Sequence, residues 1–183
     1  LPFLVFFPFL GAVISYIIGR SNKGARDIWC WILSAVIFIA SLMLIGKETV
    51  YSLRGFCGLG LSFAADGFGV ILAVLTGAIW LITTIFSKEY MAAERNRNRY
   101  YFFVFLTLGA TMGIFLSADL FTTFIFFEIM SFTSFVLVMH DEEDFTVRSA
   151  KTYLAVAVIG GLVTLMGLFM MYQKAGTLNM AEL

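Results

Sequence analysis

Six apolar runs, each close to the length that crosses a bilayer and separated by short charged connectors, leave this chain few ways to fold. They lie at about Pro2 to Gly19, Ile28 to Gly46, Gly67 to Ser87, Tyr100 to Ser117, Leu120 to Met139 and Ala150 to Tyr172. A hydrocarbon core of about 30 Å needs roughly 20 residues of helix, and irregular backbone facing lipid leaves its polar groups unpaired. Six transmembrane helices are therefore expected, in an all-α, polytopic membrane protein organised as a single transmembrane domain over residues 1–183. A membrane β-barrel would instead show alternating segments of about ten residues. Charged residues make up 13% of the chain, against about 25% in a typical soluble domain, which excludes a soluble fold.

The connectors alternate in character. Arg20, Lys23 and Arg26 follow the first run, Lys88, Arg95, Arg97 and Arg99 the third, and Arg148 and Lys151 the fifth, nine basic residues on one side. Lys47, Arg54 and Lys174 make three on the other. The positive-inside rule then puts the N-terminus outside and the nine-residue side in the cytoplasm. Net charge is zero and the charges are confined to connectors, so no nucleic-acid partner is expected. The run from Leu1 to Gly19 lacks the basic start and small-residue cleavage site of a signal peptide and is read as a retained span.

Within this frame several residues have assignable local roles. Gly55, Gly58 and Gly60 in the long connector from Lys47 to Asp66 read as turn residues of an interfacial segment or a short hairpin. Asp66, just before Gly67, is placed to cap the third helix. Gly69, Ala73 and Gly77 in the third run, and Gly109 and Gly113 in the fourth, recur at the four-residue spacing that lets helices approach closely. Only Ser117, Ala118 and Asp119 separate the fourth and fifth runs, so those helices are expected to be antiparallel neighbours.

The fifth run, Leu120 to Met139, holds an ionisable residue, Glu128, ninth of its twenty residues and so near the midplane. A carboxylate at that depth costs on the order of 2.5–3.5 kcal/mol on insertion scales, which points to a task or a partner. Two readings stand: a proton-binding carboxylate, or a protonated side chain that fastens one helix to another. Ser131, at i+3, shares its face, either to hold a water or relay a proton, or to bond back to its own helix.

Cys30 and Cys57 form no paired motif and His140 is the sole histidine, so no bound redox centre, cofactor or metal is expected. Both cysteines read as packing residues. Asp141, Glu142, Glu143 and Asp144 read as a solvated loop balanced by Arg148 and Lys151, or as a proton-collecting surface with His140 as exchanger.

The stretch from Phe63 through Asp66-Gly67-Phe68, the segment Phe86-Ser-Lys-Glu-Tyr-Met91, and the run from Tyr101 to the Phe127-Glu-Ile-Met-Ser-Phe-Thr-Ser-Phe135 core resemble one family. It is that of the antiporter-like membrane subunits shared by respiratory complex I, Mrp-type cation/proton antiporters and membrane-bound hydrogenase or formate hydrogenlyase complexes. The Glu-Ile-Met-Ser segment is most similar to the hydrogenase branch. The resemblance implies a fold of about fourteen helices built on inverted repeats, of which this chain would be the N-terminal part. It also implies that Glu128 is the carboxylate of an ion pair with a lysine in a seventh helix, beyond these residues, and that the pair takes part in moving protons. Moving such a lysine toward or away would toggle the carboxyl between releasing and holding a proton.

The expected function is thus a proton- or cation-translocating subunit of a redox-driven membrane complex such as NADH:quinone oxidoreductase or membrane-bound hydrogenase, with no redox centre of its own. An Mrp-type sodium/proton antiporter subunit and a structural anchor without transport are the alternatives. Other membrane subunits and the lipid bilayer are the implied partners, in a bacterial or archaeal cell membrane.

Overall fold

The computed structural model describes residues 1–53, 60–94 and 96–183. Arg54, Gly55, Cys57, Gly58 and Arg95 lie outside the described residues. Six helices follow the apolar runs: α1 Pro2–Ser21, α2 Lys23–Leu42, α3 Gly67–Tyr90, α4 Arg97–Phe115, α5 Leu120–Val138 and α6 Asp144–Ala175. An antiparallel hairpin, β1 Thr49–Leu53 and β2 Leu61–Ala65, occupies the connector between α2 and α3, pairing Thr49 with Ala65 and Leu53 with Leu61.

Caps explain where several helices begin. The Asn22 side chain accepts hydrogen bonds from the amides of Gly24 at 2.9 Å and Ala25 at 3.1 Å, so α2 begins at Lys23, five residues before its apolar run at Ile28. That shift draws Arg26 and Asp27 into the helix. Asp66 accepts from the Gly69 amide at 3.2 Å and Asp119 from the Thr122 amide at 2.7 Å, capping α3 and α5 as Asx residues do. Gly176, at φ +72°, ends α6 in the left-handed conformation that glycine adopts without a Cβ clash.

Five of the helices are long and apolar enough to cross a membrane, and α4 falls outside that set. Its first turn carries Arg97, Asn98 and Arg99, and it packs against α1, α5 and α3, so most of its surface meets protein rather than lipid. Tyr101, Phe105, Leu108, Ala110 and Met112 of α4 are all essentially inaccessible.

The glycines at helical spacing sit where helices touch. A Cβ on Gly109 would lie 2.6 Å from the Phe9 ring and 3.0 Å from the Val5 carbonyl oxygen of α1. On Gly113 it would collide with the Phe126 ring of α5. The α4 pair therefore serves α1 and α5 from one face of the helix, a turn apart. Gly77 of α3 faces Phe38 of α2, its Cβ position 3.1 Å from that Cα, and a Cβ on Gly69 would collide with the Phe115 carbonyl of α4. Indoles add cross-helix bonds: Trp29 donates to the Gly11 carbonyl at 3.2 Å, Trp31 to that of Thr84 at 3.3 Å, and Trp80 to that of Val104 at 3.0 Å. Each gives an apolar ring a polar partner inside the bundle.

The connectors gather at two ends. At one end the Arg97 guanidinium donates to the Lys88 carbonyl at 2.9 Å and Arg99 to that of His140 at 2.8 Å, joining the α3–α4 and α5–α6 connectors. At the other, the Ala64 amide donates to the Leu116 carbonyl and the Ala118 amide to that of Ser62, both at 2.8 Å, so the α4–α5 connector continues the hairpin's ladder. The Leu120 amide then bonds the Leu178 carbonyl at 3.0 Å, tying down the segment after α6. The four-residue link between α4 and α5 makes them packed antiparallel neighbours, as its brevity predicts.

A Gly109→Val substitution is expected to lower the unfolding free energy of the protein in detergent by about 1–3 kcal/mol, because its added methyls meet Phe9 and backbone. Gly167→Ala, where nothing lies within 4 Å, is the matched control and should leave stability unchanged or slightly raised. Denaturant titration followed by tryptophan fluorescence checks both.

Candidate functional site

Glu128 stands on the ninth residue of α5, whose Asp119 cap sets the start of the helix and hence the direction in which the carboxylate points. It faces α6. A Cβ on Gly161 would lie 2.8 Å from the Glu128 carboxyl carbon and would collide with Oε1, so the missing side chain of Gly161 forms the slot that receives the carboxylate. Glu128 is half-buried; its Oε1 is fully buried and has no hydrogen-bond partner among the described residues. Leaving a buried polar group unpaired costs about 1–3 kcal/mol, more where it is charged.

Ser131, Phe132, Leu154, Ala157 and Val158 complete a cleft beside the carboxylate that has no room for a water molecule. On the other side of Ser131, a groove of about 510 Å3 opens between α5 and α6 along Phe127, Tyr153, Gly160 and Gly161. The Ser131 hydroxyl donates to the Phe127 carbonyl at 3.0 Å, the back-bonded alternative of its two expected roles. The Thr107 hydroxyl of α4 donates to that of Thr133 on α5 at 2.9 Å, a cross-helix bond that the sequence reading did not single out.

A second polar constellation also escaped the sequence reading. Asp27 sits between two arginines: Oδ1 accepts from Arg26 at 2.7 Å and Oδ2 from Arg97 at 2.9 Å. Arg26, 0% exposed, also donates to the Asn98 side chain and lies 4.7 Å over the Tyr101 ring. Gly19 of α1 gives it space, since a Cβ there would lie 2.9 Å from the Arg26 Cδ. The available signal was the adjacent Arg-Asp pair beside an apolar run, facing an Arg-x-Arg before another. Read as connector charge, it concealed a buried clamp between α2 and α4.

Other sequence candidates have structural roles. Cys30 is fully buried beneath this clamp as a packing residue. Glu142 pairs with Arg99 and accepts from the Asn96 side chain at 3.4 Å, while the His140 ring packs edge-on to Tyr100 with centroids 5.7 Å apart. The acidic run is thus partly neutralised by the bases opposite it. Among the described residues, no three His, Cys, Asp or Glu side chains come together as a metal site would need.

These features define a multi-pass, all-α integral membrane protein with a mid-span carboxylate wedged against a glycine of its neighbouring helix. Residues 117–183, which include α5 and α6, match the family described as NADH:quinone oxidoreductase/Mrp antiporter, TM. A sodium/proton antiporter subunit of Alkalihalophilus pseudofirmus is 30% identical over 124 residues, covering 68% of this chain and 25% of its own length. An antiporter subunit of Staphylococcus aureus, mnhD2, is 29% identical over 191 residues, covering all of this chain and 37% of its own. A chain of the membrane-bound sulfane sulfur reductase, an archaeal respiratory membrane complex, superposes with a TM-score of 0.88 at 18% identity, over 98% of this chain and 38% of that one. At that identity the superposition speaks for the fold alone. The chain belongs to the antiporter-like membrane-subunit family of complex I and Mrp antiporters, and it spans well under half the length of these relatives.

Two outcomes test the geometry. Asp27→Ala is expected to destabilise the protein by about 3–5 kcal/mol by leaving Arg26 buried and unpaired, measured by denaturant titration in detergent. Gly161→Ala should push the Glu128 carboxyl out of its slot and speed its labelling by a hydrophobic carbodiimide, read by mass spectrometry. Gly160→Ala, with nothing within 4 Å, should leave the labelling rate unchanged.

Proposed function

We propose that this chain is part of an ion-translocating, antiporter-like subunit of a multisubunit, redox-driven membrane complex in a prokaryotic cell membrane, with Glu128 as its proton-binding carboxylate. The observation that carries this reading is the buried Oε1 of Glu128, without a hydrogen-bond partner among the described residues and held at mid-helix against Gly161, which lines an open groove. A residue that only fastened α5 to α6 would be expected to complete a hydrogen bond across that contact. In this arrangement the slot orients the carboxyl, the tight cleft beside it excludes water, and the groove that reaches its neighbours Ser131 and Gly161 gives a mobile cationic group or a water chain a route of approach. Approach of a cation favours the ionised carboxylate and its retreat favours the protonated acid, so a distant rearrangement is converted into proton uptake and release.

The name of the Alkalihalophilus relative, a sodium/proton antiporter subunit, favours a second reading, in which the complex exchanges sodium for protons without electron transfer. The two readings differ in what drives the transport and share the same carboxylate.

Inverted membrane vesicles carrying the complete complex, wild type against Glu128→Gln, provide the test. The substitution keeps the shape and hydrogen-bonding capacity of the side chain and removes its charge. ΔpH formation should fall to near background in the variant with assembly intact on a native gel; undiminished ΔpH would overturn the role of Glu128. Adding sodium without an electron donor separates the drives, since a sodium-dependent pH change of undiminished size would favour the antiporter.

A further inference from the structure

Where the first turns of α2 and α4 meet the end of α1, a pocket of about 600 Å3 is lined by Lys23, Arg26, Arg97 and Arg99. Glu94 is the carboxylate among its lining residues. The other nearby acids stand behind the wall, where Asp27 binds Arg26 and Arg97 and Glu142 binds Arg99. These pairs hold the guanidiniums in place, while Lys23 is exposed and forms no salt bridge among the described residues. Asn96, Arg97, Asn98 and Arg99 open α4 along the same wall, and Asn96 makes no side-chain cap, so the positive end of the helix adds to the field of the cations.

The remaining wall is aromatic. Tyr16 and Phe102 pack edge-on with centroids 5.7 Å apart, and Phe103 lies beside them. From Tyr16 the surface continues along α1 through Ile17 and Val13, which are 61% and 46% exposed on a helix apolar enough to cross the membrane. A soluble anion would use only the cationic half of such a site; an amphiphile with a phosphate at one end would use both.

We propose that this pocket binds the phosphate headgroup of an anionic phospholipid, whose acyl chains run along the exposed face of α1. Lys23 and Arg99 contact the phosphate, and Arg26 and Arg97, fixed by Asp27, supply the field behind it. Each cation near an anionic lipid surface strengthens binding about fivefold, so the pocket selects phosphatidylglycerol-type lipids over zwitterionic ones. The site lies at the basic end of the bundle, whereas Glu128 lies at mid-helix, so the lipid proposal stands whatever Glu128 does.

The test uses the complete protein in its membrane complex, equilibrated in mixed micelles of detergent with phosphatidylglycerol and phosphatidylcholine, then stripped by detergent exchange. Retained lipid is counted by mass spectrometry. Wild type and Lys23→Arg should retain phosphatidylglycerol preferentially, while Lys23→Gln and Arg99→Gln should each lower that preference about fivefold. Lys23 is exposed, so its variants probe charge without disturbing the packing, and an unchanged elution profile controls for assembly. Equal preference in wild type and Lys23→Gln would overturn the proposal. Displacement of the lipid by millimolar inorganic phosphate would also overturn it, because the pocket would then be reading a free anion.

Discussion

Because Gly109 has no side chain, α4 lies directly against Phe9 and the Val5 carbonyl of α1, and because Gly113 has none, Phe126 of α5 closes on the same face one turn further along. These contacts make α4 the axis of the bundle. In a bilayer, lipid tails compete equally for apolar surface, and helices associate where close approach gains van der Waals contact and polar groups find partners. The α4 helix uses both means: glycines toward α1 and α5, the Val104 carbonyl toward Trp80 of α3, and Thr107 toward Thr133 of α5. A helix so enclosed tolerates arginines in its first turn and hydroxyls along its length.

The two ends of that axis are finished differently. At the basic end, charge closes the structure: Asp27 bridges Arg26 and Arg97, and Arg99 reaches Glu142 and the His140 carbonyl. Removing a guanidinium and a carboxylate from water is costly, and here the cost is offset by paired geometry, the Asn98 acceptor and the Tyr101 ring beneath Arg26. At the opposite end backbone hydrogen bonds serve instead, with β2, the α4–α5 connector and the segment after α6 joined edge to edge. Asp119 links this ladder to α5, accepting from the Ser62 amide at 3.2 Å as well as from Thr122. The start of α5, and with it the position of Glu128, is therefore set by the hairpin end.

The α6 helix is the least enclosed of the six. Along it Ile159, Val163, Met166 and Phe169 are exposed, while Gly161 is buried against Glu128. One side of α6 supports the candidate site and the other requires lipid or further protein in the membrane. The proposed role of Glu128 fits that position, at the boundary between the packed bundle and whatever completes it.

The spans, their alternation between two ends, the Asp66 cap and the close-packing glycines were legible in the sequence, because run length, charge placement and residue size act locally. The position of Glu128 within its span was legible for the same reason. Which neighbour each group meets was not. Arg26 read as a connector charge, and Asp27 was not singled out, because their burial depends on Arg97 and Asn98, some seventy residues away on α4. The slot for Glu128 depends on Gly161 of another helix, and no spacing within α5 encodes it. The sequence alone determined that a carboxylate would lie in the middle of an apolar helix, since hydrophobic length counts residues along one chain. Only the tertiary structure decided that it would lie against a glycine, unpaired among the described residues and near an open groove, since packing brings together residues that sequence separation keeps apart.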